Sequence, residues 1–293
     1  MKVEAKGGIL VAPLQILLNV FIWIPFFLVI ALSFFSWSAT MGPNWWEAPF
    51  VGIRNYVDIL QDEGFLMALG RTLIVVAVAV CLEFGLGLFL TLLIASLPRG
   101  RRIVTPIFLM PMMFLPIVTG YDFFMIFYGH GPLNAILSML LGHEVMVEWL
   151  ANSTSALFAI ILADVWQWTP FMFLILYSAY MAAPEEPVKV ARTLGASEAY
   201  IFRRITLPAL RDVIMIALII RSLECFKIFD VPWIMTAGGP GAATQTISIY
   251  MYLEGFKYWN LSYISAGALI LLGMIIIVTR YATNRLLIVE KKM

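Results

Sequence analysis

Six stretches of this chain are apolar over the ~20 residues that a helix needs to cross the hydrocarbon core of a bilayer: residues 9–34, 68–96, 103–128, 156–180, 212–235 and 263–288. Backbone polar groups in lipid must be satisfied within the segment or by a closed barrel. A barrel is written as alternating ten-residue strands, and these runs are continuous. They predict an all-α membrane protein with six transmembrane helices, forming one domain over residues 1–293. Composition agrees: 62% of residues are hydrophobic and 13% charged, against about a quarter charged in soluble domains. Mean hydropathy is +0.92. Pro111, Pro116, Pro170 and Pro232 lie inside runs, where a bundle tolerates proline if neighbours satisfy the freed carbonyls. The first run is too long for a signal-peptide core and has no small-residue cleavage site, so it reads as a retained span.

Lys and Arg placement orients the spans, because cytoplasmic loops carry the positive excess. With the N-terminus inside, the inner segments hold Lys2, Lys6, Arg99, Arg101, Arg102, Lys189, Arg192, Arg203, Arg204, Arg211, Arg280, Arg285, Lys291 and Lys292. That is fourteen of the 19 basic residues; the outer loops hold Arg54 and Lys257. Both termini are therefore expected in the cytoplasm. The outer loops, about 35–66, 129–155 and 236–262, are long and rich in Trp, Tyr and Gly. Trp45 and Trp46 read as interfacial aromatics.

Chemistry is excluded more easily than assigned. No G-x-x-x-x-G-K-[ST] phosphate loop occurs, so the chain is not expected to hydrolyse nucleotide. The sequence offers no catalytic residues, no paired carboxylates and no metal-ligand spacing around His130 or His143. Cys81 and Cys225 lie in apolar runs and read as small core residues. A net charge of +1 gives no field for nucleic acid. Transport or channel activity remains.

One inner segment is anomalous. Residues 181–211 contain "VARTLGASEAYIFRRITLPA", a charged insert several times longer than a tight connection between antiparallel spans. It divides into two short helices. Pro184 and Pro187 suit a helix start, and Glu185 and Glu186 favour its positive end. Gly195 is the natural left-handed stop, and Ser197 can cap a second helix. Ile201 and Ile205 lie one turn apart, Arg203 and Arg204 sit near the negative end, and Pro208 ends the element. An interfacial linker would carry similar arginines. The hinged shape, with small Ala191, Gly195 and Ala196 at its bend, also suits docking into a partner's groove.

The insert resembles the EAA motif of permease subunits in binding-protein-dependent ABC importers. Ala191, Gly195, Ile205, Leu207 and Pro208 match at the family's spacing, while Lys189, Val190 and Leu194 stand where the pattern has Glu, Ala and Asp. "VWQWTPF" (165–171) and "FKIFDVPWIMTAGGPGAATQTISIYMY" (226–252) extend the resemblance to the carbohydrate-uptake, maltose-type branch. The resemblance implies the type I ABC importer permease fold in a prokaryotic inner membrane. It makes the insert a coupling helix seated in a separate ATPase subunit, with Glu186, Lys189 and Arg192 as candidate charge contacts. Expected partners are two ATPase subunits, a second related permease, an extracytoplasmic solute-binding protein and membrane lipid, with no nucleic acid. ATP and magnesium would be bound by the ATPase, and no cofactor by this chain.

Ionisable groups within spans are functional suspects. At 100° per residue, Arg221, Glu224, Cys225 and Ile228 share one stripe, the better pathway candidate because family substrate contacts cluster at matching positions. Lys227 and Asp230 fall on the far side, spaced to pair with each other. In the fourth span Gln167, Trp168 and Phe171 are marked: amide and charged groups meet sugar hydroxyls, and aromatic rings meet C–H faces. Simple bundle packing is the alternative for Trp168 and Phe171. Glu83, Asp122 and Asp164 are intramembrane or nearly so, with no role assigned by the sequence. The function expected is a permease for a sugar, polyol or related glycoside; an ATP-independent carrier or channel is the alternative. Arg221 leaves an anionic cargo open.

Overall fold

The computed structural model describes residues 2–97 and 99–290, with side chains over 12–97 and 99–284. Lys291 and Lys292, and the side chains of Lys2, Lys6 and Arg285, on which part of the expected orientation rests, lie outside the described residues. In chain order the α-helices are α1 (Lys2–Leu32), α2 (Arg54–Gln61), α3 (Glu63–Ser96), α4 (Arg101–Leu109), α5 (Pro116–Phe127), α6 (Pro132–Leu141) and α7 (Ser153–Ala182). They continue as α8 (Glu186–Thr193), α9 (Glu198–Ile201), α10 (Leu207–Ala209), α11 (Arg211–Phe226), α12 (Asp230–Thr236), α13 (Ile247–Tyr252) and α14 (Leu261–Glu290). The fold is all-α, with no strand among the described residues beyond one isolated Phe35–Phe50 bridge.

Five helical stretches among the described residues are long and apolar enough to cross a membrane: Ala12–Leu32, Glu63–Ser96, Pro116–Leu141, Ser153–Ala182 and Leu261–Asn284. Two expected runs are not single helices. Over 103–128, the helix ends at Leu109, tightens into a 3-10 turn at Met110–Met113, and restarts at Pro116. Pro111 and Pro116 are the cause: each lacks an N–H, and the residue before Pro116, Leu115, is extended (ψ 140°). Over 212–235, α11 stops at Phe226, and α12 starts at Asp230 after a break.

The chain divides into two compact units, residues 1–66 with 250–277 and residues 67–249 with 278–293. In the first, Asn55 Nδ2 donates to the Ser33 and Phe35 carbonyls, each at 2.8 Å, pinning the chain as it leaves α1. The bridge nearby gathers Phe34, Phe35, Trp45, Phe50 and Tyr56 into an aromatic cluster. Asp62 caps α3 by accepting from Phe65 N–H at 2.9 Å, and also takes the hydroxyls of Tyr263 (2.8 Å) and Tyr250 (3.1 Å). Burial would raise the Asp62 pKa, but these bonds and one from Gly64 N–H outweigh it and hold the carboxyl below its ordinary value.

The second unit is built around α7. In its most apolar stretch 67% of residues are buried, against 28% for α3, and only a stripe through Phe158, Leu162 and Trp166 stays exposed. Ala159, Ile160 and Ala163 meet Phe123 and Phe127 of α5 and Val231 and Met235 of α12. Ile161 and Val165 meet Val75, Ala79 and Val80 of α3. Met172 and Leu176 meet Leu210, Ile214 and Ala217 at the start of α11. Gly87 lets α3 approach α7: a Cβ there would lie 2.9 Å from Met172 Cγ and 3.0 Å from the Phe173 backbone nitrogen.

Candidate functional site

The two helix breaks and α7 together make a polar cavity of about 200 Å³. Pro116 contributes from the start of α5, Asp164, Gln167 and Trp168 from α7, Arg221 and Glu224 from α11, and Lys227 to Val231 from the second break and α12.

Arg221 organises its wall. The side chain is 1% exposed, yet its charge is held by polar partners. Its Nε donates to Glu83 Oε2 at 2.6 Å and its Nη2 to Glu83 Oε1 at 2.8 Å; Nη2 also donates to Asp164 Oδ2. Cys225 Sγ lies 3.6 Å from the same Asp164 oxygen. The guanidinium carbon stands 5.1 Å from the Trp168 ring centroid. Three helices thus converge on one cation, with Glu83 from α3, Asp164 from α7 and Arg221 from α11.

Gln167 answers the first helix break. With α5 restarting at Pro116, the Phe114 carbonyl has lost its helical partner, and Gln167 Nε2 donates to it at 2.9 Å. A carbonyl only accepts, so the amide nitrogen must face it. Gln167 Oε1 is left buried with no hydrogen-bond partner among the described residues. Gln167 is also a lining residue of the cavity, so a buried acceptor without a partner belongs to its wall.

The sequence-marked residues separate here. Gln167, Trp168, Arg221, Glu224 and Ile228 line the cavity. Phe171 does not; it stands edge-on behind Trp168, centroids 6.1 Å apart. Cys225 is buried away from the cavity among Val75, Ala79 and Val165. The Lys227–Asp230 pair is replaced: Lys227 Nζ bonds Glu224 Oε1 at 3.0 Å. Helical spacing across 227–230 does not hold, because α11 ends at Phe226 and Asp230 opens the next helix. Glu83 and Asp164 are the residues that sequence reasoning could not place, although carboxylates in apolar runs were the signal. Asp122 is exposed.

The insert 181–211 is hinged at Gly195, whose φ is +79°. Ala196 N–H donates to Ala191 O and Gly195 N–H to Arg192 O, both at 3.0 Å, so α8 closes with a Schellman motif. Ser197 Oγ then caps α9 by accepting from Tyr200 N–H. Arg192 and Glu198 clasp the hinge with two bonds, 2.7 and 3.0 Å, and Lys189 bonds Glu185 at 2.9 Å. These bonds hold Glu198 and Glu185 below the ordinary carboxylate range. Two of the three candidate charge contacts, Lys189 and Arg192, are therefore engaged within the insert, and Glu186 makes no ion pair among the described residues. Val190, Leu194 and Tyr200 expose apolar surface around the bend, Leu194 to 81%. Pro208 does not end the element as expected. The turn before it relaxes, Leu207 N–H reaching back five residues to Phe202 O, and the chain runs on into α11. Leu207 packs beside Met172 and Leu176, and Ile205 is half-buried.

Long apolar helices, a cavity lined by charged and polar side chains, and a hinged insert on the connection between α7 and α11 mark a polytopic membrane protein. The chain belongs to the binding-protein-dependent transport system inner membrane component family, whose model matches residues 83–285 and so covers both cavity and insert. It is 36% identical to the trehalose/maltose transport system permease protein MalF of Thermococcus litoralis over 91% of this chain and 88% of that protein. It is 32% identical to the sulfoquinovosyl glycerol transport system permease protein SmoG of Agrobacterium fabrum, over 92% and 87%. Identity is 29% to the sn-glycerol-3-phosphate transport system permease protein UgpA of Salmonella typhi, over 88% and 92%. Among solved structures, a chain of a bacterial ABC transporter involved in import of the acidic polysaccharide alginate shares the fold. The TM-score is 0.80 at 19% identity, covering 97% of this chain and 96% of that one. The protein is thus a multi-pass inner-membrane permease subunit of an ABC importer with the type I fold, and not itself the catalytic subunit.

Proposed function

We propose that this chain supplies half of the translocation pathway for a sugar, polyol or related glycoside, with the α5–α7–α11–α12 cavity as a cargo contact. One observation carries the assignment of the site: Gln167 Oε1, a buried acceptor without a partner, sits in the same wall as the Trp168 ring and Arg221. That set offers an acceptor and a donor to hydroxyls and an aromatic face to sugar C–H groups. The cargoes named for the relatives, trehalose and maltose among them, support the substrate class.

Movement would come from outside the chain. The insert, with Glu186, Lys189, Ala191, Arg192, Gly195, Ala196, Ile205, Leu207 and Pro208, is the proposed seat of an ATPase subunit. Two such subunits would bind ATP and magnesium, a second permease would complete the pathway, and an extracytoplasmic binding protein would deliver cargo. The exposed Val190, Leu194 and Tyr200 around a stiffened hinge favour this reading over a solvated linker.

The test is uptake of labelled maltose and trehalose by cells carrying the whole importer. Trp168→Ala and Gln167→Leu should each lower uptake about tenfold, the equivalent of ~1.4 kcal/mol, while the subunits still co-purify. Unchanged uptake in both variants would remove the cavity from the pathway. An affinity-tagged chain that purifies without ATPase subunits would remove the coupling role.

A further inference from the structure

An arginine in a cargo cavity ordinarily reads an anion, because its planar fork matches carboxylate and phosphate. Here the fork is already filled. Both Glu83 oxygens take Nε and Nη2, Asp164 takes Nη2 from a second helix, and the indole of Trp168 stands against the guanidinium. We propose that Glu83 and Asp164 are charge-selectivity residues: they occupy Arg221 from within, so that the cavity admits neutral polyhydroxylated solutes and refuses anions. The proposal rests on the reading of this cavity as a cargo contact.

The charge inventory supports it. If both carboxylates are ionised the cluster carries a net negative charge; if they share a proton it is neutral. It is positive in neither case. The second cation of the wall, Lys227, lies 3.0 Å from Glu224, which cancels it. Asp230 adds a further carboxylate to the lining. An incoming anion would find the Nε/Nη2 face taken and would reach the guanidinium only at Nη1, beside carboxylates that repel it, unless it displaced one held by its own helix. A neutral hydroxyl needs no displacement. Arg221 Nη1 makes none of the bonds to Glu83 or Asp164 and remains a donor, and Gln167 Oε1 remains an acceptor.

A purely structural role, three helices pinned by an ion cluster, predicts loss of stability on mutation and no change in ligand charge preference. The two are separated by saturation-transfer NMR on the complete importer in nanodiscs, using sorbitol and gluconate, six-carbon polyols that differ in charge. Wild-type protein should show transfer to sorbitol and none above background to gluconate. Glu83→Gln and Asp164→Asn should each bring the gluconate signal to at least three times background, and adding Arg221→Gln should abolish the gain. Should one single variant fail to fold, the other carries the test, since each leaves one carboxylate on the arginine. Arg221-dependent gluconate binding in the wild type overturns the proposal, as does the absence of any gain in a folded carboxylate variant. Sorbitol transfer that is absent, or unaffected by Trp168→Ala, instead defeats the cavity reading; the gluconate arm reports on the charge rule independently.

Discussion

Arg221 and Glu83 stand 138 residues apart in the chain and meet fork to fork, Nε at 2.6 Å from Oε2 and Nη2 at 2.8 Å from Oε1. The pair ties α11 to α3, and Asp164 extends the tie to α7. Removing one partner of a buried ion pair strands the other charge, at a cost of about 3–5 kcal/mol. Arg221→Ala should therefore lower the thermal midpoint of the detergent-solubilised protein as well as its transport. The neutral combination Glu83→Gln, Asp164→Asn and Arg221→Gln keeps polar partners without stranded charge and should recover most of the loss. An Arg221→Ala protein as stable as its parent would show that the cluster does not hold the helices.

Gly195 turns the insert in the left-handed region, at φ +79°, and a Cβ there would meet nothing within 4 Å. Any penalty for substitution is therefore backbone strain, about 1–2 kcal/mol for an ordinary L-residue. Gly195→Ala should reduce uptake by the complete importer several-fold at unchanged expression, and Gly195→Asn, which tolerates this region better, should recover part of it. Equal behaviour of the two variants would mean that the hinge angle does not matter.

Gly87 and Gly85 lie two residues apart on α3 and should answer oppositely. A Cβ at Gly87 meets the Phe173 backbone nitrogen at 3.0 Å, which cannot yield as a side chain would, whereas at Gly85 it meets nothing within 4 Å. Gly87→Ala should destabilise by about 1–3 kcal/mol, as overpacking does. Gly85→Ala should be neutral or slightly stabilising, given alanine's higher helix propensity. Paired thermal unfolding in the same detergent makes the comparison.

Asp62 accepts from Phe65 N–H, Tyr263 and Tyr250, and its folded pKa lies below the ordinary value. A depressed carboxylate pKa contributes stability that is fully present above the unfolded value, about 4 for aspartate. That contribution is lost as pH falls through the folded value. The midpoint difference between the parent and Asp62→Asn should thus be constant from pH 5 to 7 and shrink as the solution is acidified below 4. A difference independent of pH would remove the carboxylate charge from the account.

Much of this was legible in the chain. The insert's bend could be read because its parts are local: a Schellman closure joins residues five apart, Ala191 and Ala196, and a serine cap joins Ser197 to Tyr200. Gln167, Trp168 and Arg221 could be marked because polar and aromatic groups stand out in apolar runs. Their partners could not. Lys227 was spaced to meet Asp230 on a continuous helix, and the break after Phe226 sent it to Glu224 instead. Pro208 was expected to stop a helix, and a five-residue turn absorbed it.

The sequence by itself determined that this chain is a multi-pass helical membrane protein with a hinged polar insert. Run length, charge placement and capping chemistry act within one helix or one turn, and need no knowledge of what lies alongside. Only the tertiary structure decided that Glu83 and Asp164 share Arg221, and that Gln167 repairs the break at Phe114 and leaves an oxygen unpaired. Those facts depend on how α3, α7 and α11 are rotated against one another. That rotation is set by packing between side chains 53 to 138 residues apart, such as the close approach at Gly87, which no local pattern encodes.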